Sequence, residues 1–403
     1  MTDYDDLFET TAPDDSVFAD KSALNPLAEP DTIRGRDDQQ RQLATILNGI
    51  HEGYLPPTVM IHGPPGTGKT TTTRRICREF AATTDALAVE YVNLKECRSI
   101  FSAAREIHQT LTGTAVEAYE GVDGAFVGIW DALGEYPDWT VLILDEIDHI
   151  NQDSNYNPSD FLYRLLRGEG KLAREINLSA WLLSNELLEV DLRLDSRVES
   201  AMSDETVFFP PYGRAALATV VEPVLTRAFR EGALPEDVRA YGIDAAANRW
   251  GDARKTLRLF RRAGETATAQ GLDVLTRECL DENLEEIDKE ATIEKLLSLP
   301  RNHRGVLFAI TVWTKGDEII QPVSTTEIKD ALDQGVPEDW QLGERAIRNL
   351  VTDLETMGLV ETWIESRGRD GRRKHVKTTF DPQWVRDTVE PADAPDAAGR
   401  SDE

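Results

Sequence analysis

The sequence is short of cysteine, lysine and long apolar runs, and each shortage narrows what the chain can be. Its three cysteines, Cys77, Cys97 and Cys279, are an odd number at spacings that match no zinc pattern. That excludes a disulfide scaffold and predicts free thiols in a reducing compartment. No apolar run approaches the ~20 residues of a membrane-crossing helix. The opening Met1-Thr2-Asp3-Tyr4-Asp5-Asp6 is acidic where a signal peptide is basic. A cytoplasmic protein with no membrane partner is expected. Only 11 of 403 residues are lysine, against 33 arginines, and 73 acids leave a formal charge of −29. High acidity with few lysines is the composition of proteins of salt-accumulating organisms. In molar salt the Debye length is about 3 Å, so surface self-repulsion is screened. An ordinary acidic protein with an arginine-rich codon bias is the alternative. On charge alone, nucleic acid is an unpromising partner.

What is present changes period along the chain. Residues 1–28 and 387–403 carry scattered acids, Pro, Thr, Ser and Ala without periodicity and are expected to be disordered acidic tails. Over 29–205, short apolar runs such as Thr58–Ile61, Ala88–Val92, Val141–Leu144 and Ala180–Leu183 alternate with helical stretches, which predicts an α/β core with a parallel sheet. Residues 206–290 read as all helical with no convincing strand, after a Pro210-Pro211-Tyr212-Gly213 turn. Residues 291–386 read as three helices and then two β-like runs, Leu359–Ile364 and His375–Phe380, the plan of a winged helix.

Gly63-Pro64-Pro65-Gly66-Thr67-Gly68-Lys69-Thr70 fits the phosphate-loop pattern, follows a β-like run and opens a helix at Thr71. Glycines let successive backbone N–H groups close around phosphates, and the helix N-terminus adds favourable partial charge. Lys69 would reach the terminal phosphates of ATP, and the Thr70 hydroxyl would bind Mg2+. Val141–Leu144 then delivers Asp145 and Glu146 at the C-terminal end of an apolar strand, where open α/β sheets bind ligands. Asp145 would hold Mg2+ through water and Glu146 would activate the attacking water. Asn185 ends another candidate strand and would face the terminal phosphate or the water, or else simply form a turn. Arg197 would stabilise a transferring phosphoryl group, commonly from a neighbouring subunit, or pair with Asp195. Arg254 reads equally as a solvated helix residue.

Phosphate loop, acidic strand, Ser184-Asn185, Leu194-Asp195-Ser196-Arg197 and Gly251-Asp252-Ala253-Arg254 stand in one order. In that order they resemble the AAA+ ATPases. They are most similar to the archaeal replication-initiator branch related to the eukaryotic origin recognition complex. The resemblance covers about residues 30–386 and implies an α/β AAA+ core with a P-loop, an all-α lid and a C-terminal winged-helix domain. It implies that Ile33-Arg34-Gly35-Arg36 lines the adenine pocket, Asn185 is the first sensor, Arg197 the arginine finger (Arg193 being a rival) and Arg254 the second sensor. Thr71 and Tyr212 complete the candidate residues for ATP or ADP. The implied partners are origin repeats in double-stranded DNA, the replicative helicase and other copies of the chain on DNA, with nucleoid association and slow, switch-like hydrolysis. An extra helical element that enters the minor groove in this family should fall within 99–136. Here the stretch is rich in glycine and acids and carries few cations after Arg105, which would suit a plasmid-borne or divergent paralogue.

For DNA, Leu342–Leu354 reads as the recognition helix. Ala346, Ile347, Leu350, Val351 and Leu354 would face the core, leaving Arg345, Arg348, Asn349 and Thr352 for the major groove. The hairpin region 361–380 carries six cations, among them Arg367, Arg369, Arg372, Arg373 and Lys374, against three acids. A local +3 in a chain of −29 marks a phosphate-facing wing. An ATP-sensing transcriptional regulator is the alternative function, and an AAA+ helper for mobile elements is a third.

Overall fold

A computed structural model describes residues 16–26, 28–116, 121–152, 158–167, 176–185, 202–203, 205–315, 318–335, 342–366 and 372–388. The chain divides into two compact units, 1–280 and 281–403.

In the first unit, strands β1 (Thr58–His62), β2 (Leu87–Asn93), β3 (Trp139–Asp145), β4 (Asn177–Ser184) and β5 (Thr206–Phe208) form a parallel sheet of order β2-β3-β4-β1-β5. The apolar runs are continuous because both faces are covered. Val141 and Ile143 join Val59, Ile61, Trp181 and Leu183 in one core, while Leu142 and Leu144 join Ala180 and Leu182 in the other. Helices α1 (Asp37–Asn48) and α2 (Lys69–Ala81) supply Leu43, Leu47 and Cys77 to the first core. Helices α3 (Ile100–Thr112), α4 (Gly121–Leu133) and α5 (Pro158–Arg167) cover the second. A reciprocal Ser99/Ser102 capping box starts α3. Helices α3 and α4 pair with each other between the second and third strands, within the stretch where the extra element is expected.

Strand β5 corrects the expectation that no strand occurs after 205. It pairs in register with β1 (Met60 with Thr206, His62 with Phe208), so the core reaches Phe208. Three residues are too few for a period to show. Beyond it, α6 (Arg214–Ala228), α7 (Glu236–Arg249) and α8 (Ala253–Ala269) pack together as the lid. Helix α9 (Arg277–Ser298) contains the boundary between the units, ten residues before the one expected.

The amino-terminal expectation also needs correction. Residues 16–26 belong to the lid, not to a disordered tail. Val17 and Leu24 are fully buried, and Lys21–Leu24 form a 3-10 turn against α6 and α8. The Ala19 and Asp20 amides donate to Ala228 O, and the Arg230 amide donates to Val17 O. The Phe18 ring lies 5.1 Å from that of Phe229 and sits where a β-carbon on Gly264 would be.

In the second unit, α10 (Arg301–Thr311), α11 (Thr325–Gly335) and α12 (Glu344–Thr356) pack on a three-stranded sheet of order β8-β10-β9. Its strands are β8 (Val323–Ser324), β9 (Val360–Ser366) and β10 (Arg372–Thr378), and α13 (Gln383–Thr388) follows. A small β6 (Thr314–Lys315) and β7 (Glu318–Ile319) hairpin precedes them. Leu307, Ile310, Ile328, Leu332, Ile347, Val351, Leu354, Val360 and Val376 form its core. This is the winged helix the sequence predicts, with β8 as an added strand. No helix among the described residues is long and apolar enough to cross a membrane.

Leu24→Ala should lower the unfolding free energy by about 2–5 kcal/mol in urea denaturation. An unchanged midpoint would mean that the amino-terminal segment contributes nothing to lid packing.

Candidate nucleotide-binding site

The parallel sheet brings the ends of β1, β3 and β4 level at one edge, since His62 pairs with Ser184 and Leu144 with Leu182. The loop Gly63–Gly68 leaves β1 there and passes into α2, whose N-terminus faces the same edge. Gly66 has φ +73°, and a β-carbon on it would overlap the Asp252 carboxylate. That close approach requires glycine. Asp252 in turn caps α8 by accepting from the Lys255 amide, and the Ala253 amide donates to Gly66 O at 3.3 Å. The lid therefore touches the phosphate loop directly.

Lys69 is 7% exposed, and its Nζ donates to Gly63 O at 2.5 Å, Pro64 O at 3.0 Å and Asn185 Oδ1 at 3.3 Å. Burial, reinforced by the Arg254 guanidinium and opposed by the Asp145 and Glu146 carboxylates, brings its pKa down to about 8. Arg254 thus acts on the charge at the phosphate loop from the lid. Asn185 Nδ2 donates to Glu146 Oε2 at 3.2 Å, so one amide joins Lys69 to the candidate general base. Glu146 is the one non-glycine with positive φ (57°) among the described residues. That conformation costs about 1–2 kcal/mol, and at a sheet edge it aims the carboxylate at the loop side.

The Thr70 hydroxyl donates to Asp145 Oδ2 at 2.8 Å. A hydroxyl and a buried carboxylate meeting beside a phosphate loop form the oxygen donor set that Mg2+ takes with phosphates and water, so the residues fit the ion. Glu146, Asp148 and His149 form a second group of ligand atoms within 4.8 Å of one another. His149 Nε2 lies 3.5 Å from Glu146 Oε2, and burial holds the Asp148 carboxyl above its ordinary pKa.

Sequence reasoning treated Arg36 as one residue of a pocket-lining run. In the structure it is a buried clip. Its Nε donates to Thr67 O at 2.8 Å and its Nη2 to Pro210 O at 2.7 Å, and its guanidinium stacks 3.7 Å from the Tyr212 ring centroid. Burial lowers the Arg36 pKa and raises that of Tyr212. Of its neighbours, Ile33 is half-buried and Arg34 exposed. Ile33 and Thr71 line a small cleft with Glu29, Pro30, Arg74 and Arg78. Tyr91, also missed, donates to Asp145 Oδ2 at 2.9 Å, and burial together with that carboxylate pushes its pKa up to about 12. Arg193 and Arg197 lie outside the described residues, so the finger is a reading of the sequence alone.

In the second unit, α12 buries Ile347, Val351 and Leu354 and leaves Arg345, Arg348, Asn349 and Thr352 exposed, as the spacing predicts. Arg348 also pairs with Glu344 at 3.1 Å. In the wing, Lys374 departs from the expectation of a free phosphate contact. It is half-buried, with its Nζ 3.6 Å from Glu355, because it shares the helix-facing side of β10 with Val376. Lys377 lies 3.8 Å from Glu361, and Arg373, exposed, is in register with Glu365. Two strand cations, Lys374 and Lys377, therefore lie beside carboxylates, while Glu365 is held by His375 at 3.0 Å. Arg367 and Arg369 lie outside the described residues, as does the side chain of Arg372.

The sheet, phosphate loop and helical lid have the architecture of an AAA+ core with its lid. Residues 32–174 match the AAA ATPase domain family, and residues 220–283 match the Cdc6 AAA+ ATPase-type lid domain. The chain is 29% identical to ORC1-type DNA replication protein 1 of Methanosarcina mazei over 92% of this chain and 90% of that one. It is 28% identical to ORC1-type DNA replication protein 4 of Haloarcula marismortui over 93% and 80%. Among solved structures it is similar to the Aeropyrum pernix ORC1 protein in complex with DNA, with 27% identity, TM-score 0.68 and coverage of 92% and 96%. These likenesses are to archaeal ORC1/Cdc6-type AAA+ proteins, and the matched AAA ATPase domain supports nucleotide binding and ATPase activity in general. The high-salt expectation rests on composition alone.

Nucleotide affinity should fall with rising pH. Only protonated Lys69 offers the phosphates a full charge, and above about pH 8 binding must first take up a proton. The loss should approach about tenfold per pH unit in a fluorescent-ADP titration between pH 7 and 9.5. A flat profile would show that Lys69 stays charged throughout.

Proposed function

We propose that this chain is an ATP-switched replication initiator. It binds origin repeats in duplex DNA through its winged helix and helps load the replicative helicase. One observation carries the reading: Asn185 links Lys69 to Glu146, while the lid that bears Arg254 touches the phosphate loop through Asp252 and Ala253. That arrangement suits a nucleotide sensor. Bound phosphates would take over the Lys69 protons now donated to Gly63 O and Pro64 O, and their charge would draw Arg254 and the lid with it. Mg2+, held by Thr70 and Asp145, would supply neutralising charge to the phosphates. Glu146 would accept the proton of the attacking water, with Asn185 orienting both. While Asn185 holds Glu146, hydrolysis is slow. Arg197 would complete the site from a neighbouring copy on DNA, in a cytoplasmic, nucleoid-associated assembly.

On the DNA side, Arg345, Arg348 and Asn349 would read bases and Arg367, Arg369, Arg372 and Arg373 would hold phosphates. A second reading, an ATP-sensing regulator or divergent paralogue without chromosomal origin activity, is favoured by one feature. Residues 113–138, which include α4, carry six acids and no lysine or arginine, so this element is ill suited to DNA. Footprinting across the replicon separates the two, by protection of origin repeats or of promoters only.

Lys69→Ala should abolish nucleotide binding. Glu146→Gln should keep it and lower turnover about 10²–10⁴-fold in a phosphate-release assay. Retained affinity in the first variant, or full turnover in the second, would overturn the site.

Replacing Arg345, Arg348 and Arg373 by Ala should weaken duplex binding and flatten its salt dependence by about 0.9 in log–log slope for each phosphate no longer neutralised, measured by anisotropy across a salt series. Unchanged binding at matched salt would remove this face from the interface.

A further inference from the structure

The Asp145 carboxylate is 5% exposed and takes three donors: the Glu146 amide at 3.0 Å on Oδ1, and the Thr70 and Tyr91 hydroxyls at 2.8 Å and 2.9 Å on Oδ2. Two of the three are already accounted for by the nucleotide site. Tyr91 is not. It stands at the β2 end, one strand away, and its hydroxyl also accepts from Asn93 Nδ2 at 3.3 Å. Its ring is covered by the Arg74 guanidinium, 4.3 Å from the centroid. Arg74 is in turn fixed from outside by Glu29 at 3.3 Å, next to the segment that holds Ile33. Glu29, Arg74, Tyr91 and Asp145 form a continuous chain of contacts from the cleft beside Ile33 to the candidate metal ligand.

We propose that Tyr91 is a positioning residue for the Asp145 carboxylate, clamped by Arg74, and that it sets the Mg2+ dependence of nucleotide binding. The inference rests on the reading of Thr70 and Asp145 as the Mg2+ ligands. A carboxylate that holds a metal through water must present one oxygen in a fixed direction, and the hydrogen bonds behind it fix that direction. Thr70 is needed at the ion, so it is a poor anchor for the carboxylate. The Glu146 amide restrains only Oδ1. The Tyr91 hydroxyl holds Oδ2 from a neighbouring strand, β2, and a stacked guanidinium limits how far its ring can swing. A tyrosine present only to fill space would be replaceable by phenylalanine, because the ring packs and the hydroxyl would be idle. The hydroxyl here is bonded to a buried charge.

The test uses the full chain, a fluorescent ADP and Mg2+ alone as the varied ion. Tyr91→Phe should leave ADP affinity in EDTA at the wild-type value and raise the Mg2+ concentration for half-maximal enhancement of binding by about tenfold. Arg74→Gln should shift the midpoint in the same direction by a smaller factor. A Tyr91→Phe protein with the wild-type Mg2+ midpoint would overturn the proposal. So would an equal loss of affinity in EDTA, because that would place Tyr91 in general support of the site. An unshifted Arg74→Gln would overturn the part given to Arg74. Wild-type protein whose ADP binding ignores Mg2+ would overturn both this inference and the metal reading beneath it. Lys69→Ala, run alongside, reports the nucleotide site independently, since its failure to lose ADP would condemn the site whatever Tyr91 does.

Discussion

The parallel pairing of β1, β4 and β3 is the constraint on which the rest of the molecule depends. The central residues of these strands are buried on both faces, so their backbone groups have no water as an alternative partner. Their register is therefore fixed by the fit of Val141–Leu144 and Ala180–Leu183 into two cores at once. A slip of one residue would exchange the side chains of the two faces. It would also move Asp145 and Asn185 out of line with the phosphate loop that leaves β1. The same pairing that makes the core stable therefore sets the chemistry at its edge. Glu146, the first residue beyond β3, absorbs the local conflict in its left-handed backbone.

A second constraint is the way the lid is tied down. It touches the phosphate loop through Asp252 and Ala253, and it is gripped on another side by Val17, Phe18 and Leu24. Arg36 and Tyr212 form a third tie, from the amino-terminal side of the core to the turn that opens the lid. A lid held at several points by short, partly polar contacts can shift as a body while each contact adjusts a little. Such contacts open at lower free energy than the packed sheet does. The apolar packing of the amino-terminal segment lies within the lid itself and holds the lid together as one body.

How much could be read from sequence follows from how local each signal is. Gly63–Thr70 and Val141–Glu146 are contiguous patterns whose meaning is contained in their own spacing, and both sit where the sequence puts them. The winged helix was also legible, because the period of α12 separates Ile347, Val351 and Leu354 from Arg345 and Arg348 without help from other elements. Tyr91 was not legible. Its position on an apolar strand gives it a packing explanation, and its bond to Asp145 depends on the register of two strands 54 residues apart. The amino-terminal grip was hidden for a related reason: its buried residues follow no helical or strand period and bind to helices some 200 residues further on. Lys374 was misjudged because counting charge over a segment ignores which face of the strand each residue occupies.

That last point bears on how an acidic protein could hold DNA. A net −29 gives no general attraction for phosphate, and Glu355 and Glu361 stand against Lys374 and Lys377 of the wing. Each matched pair lowers the sequence-independent part of the affinity, the part that salt weakens most. The exposed face of α12, with Arg345 and Asn349, is the part of this unit free of such strand pairing. On this balance, any hold of the winged helix on a duplex would rest less on bulk attraction than on base contacts and shape.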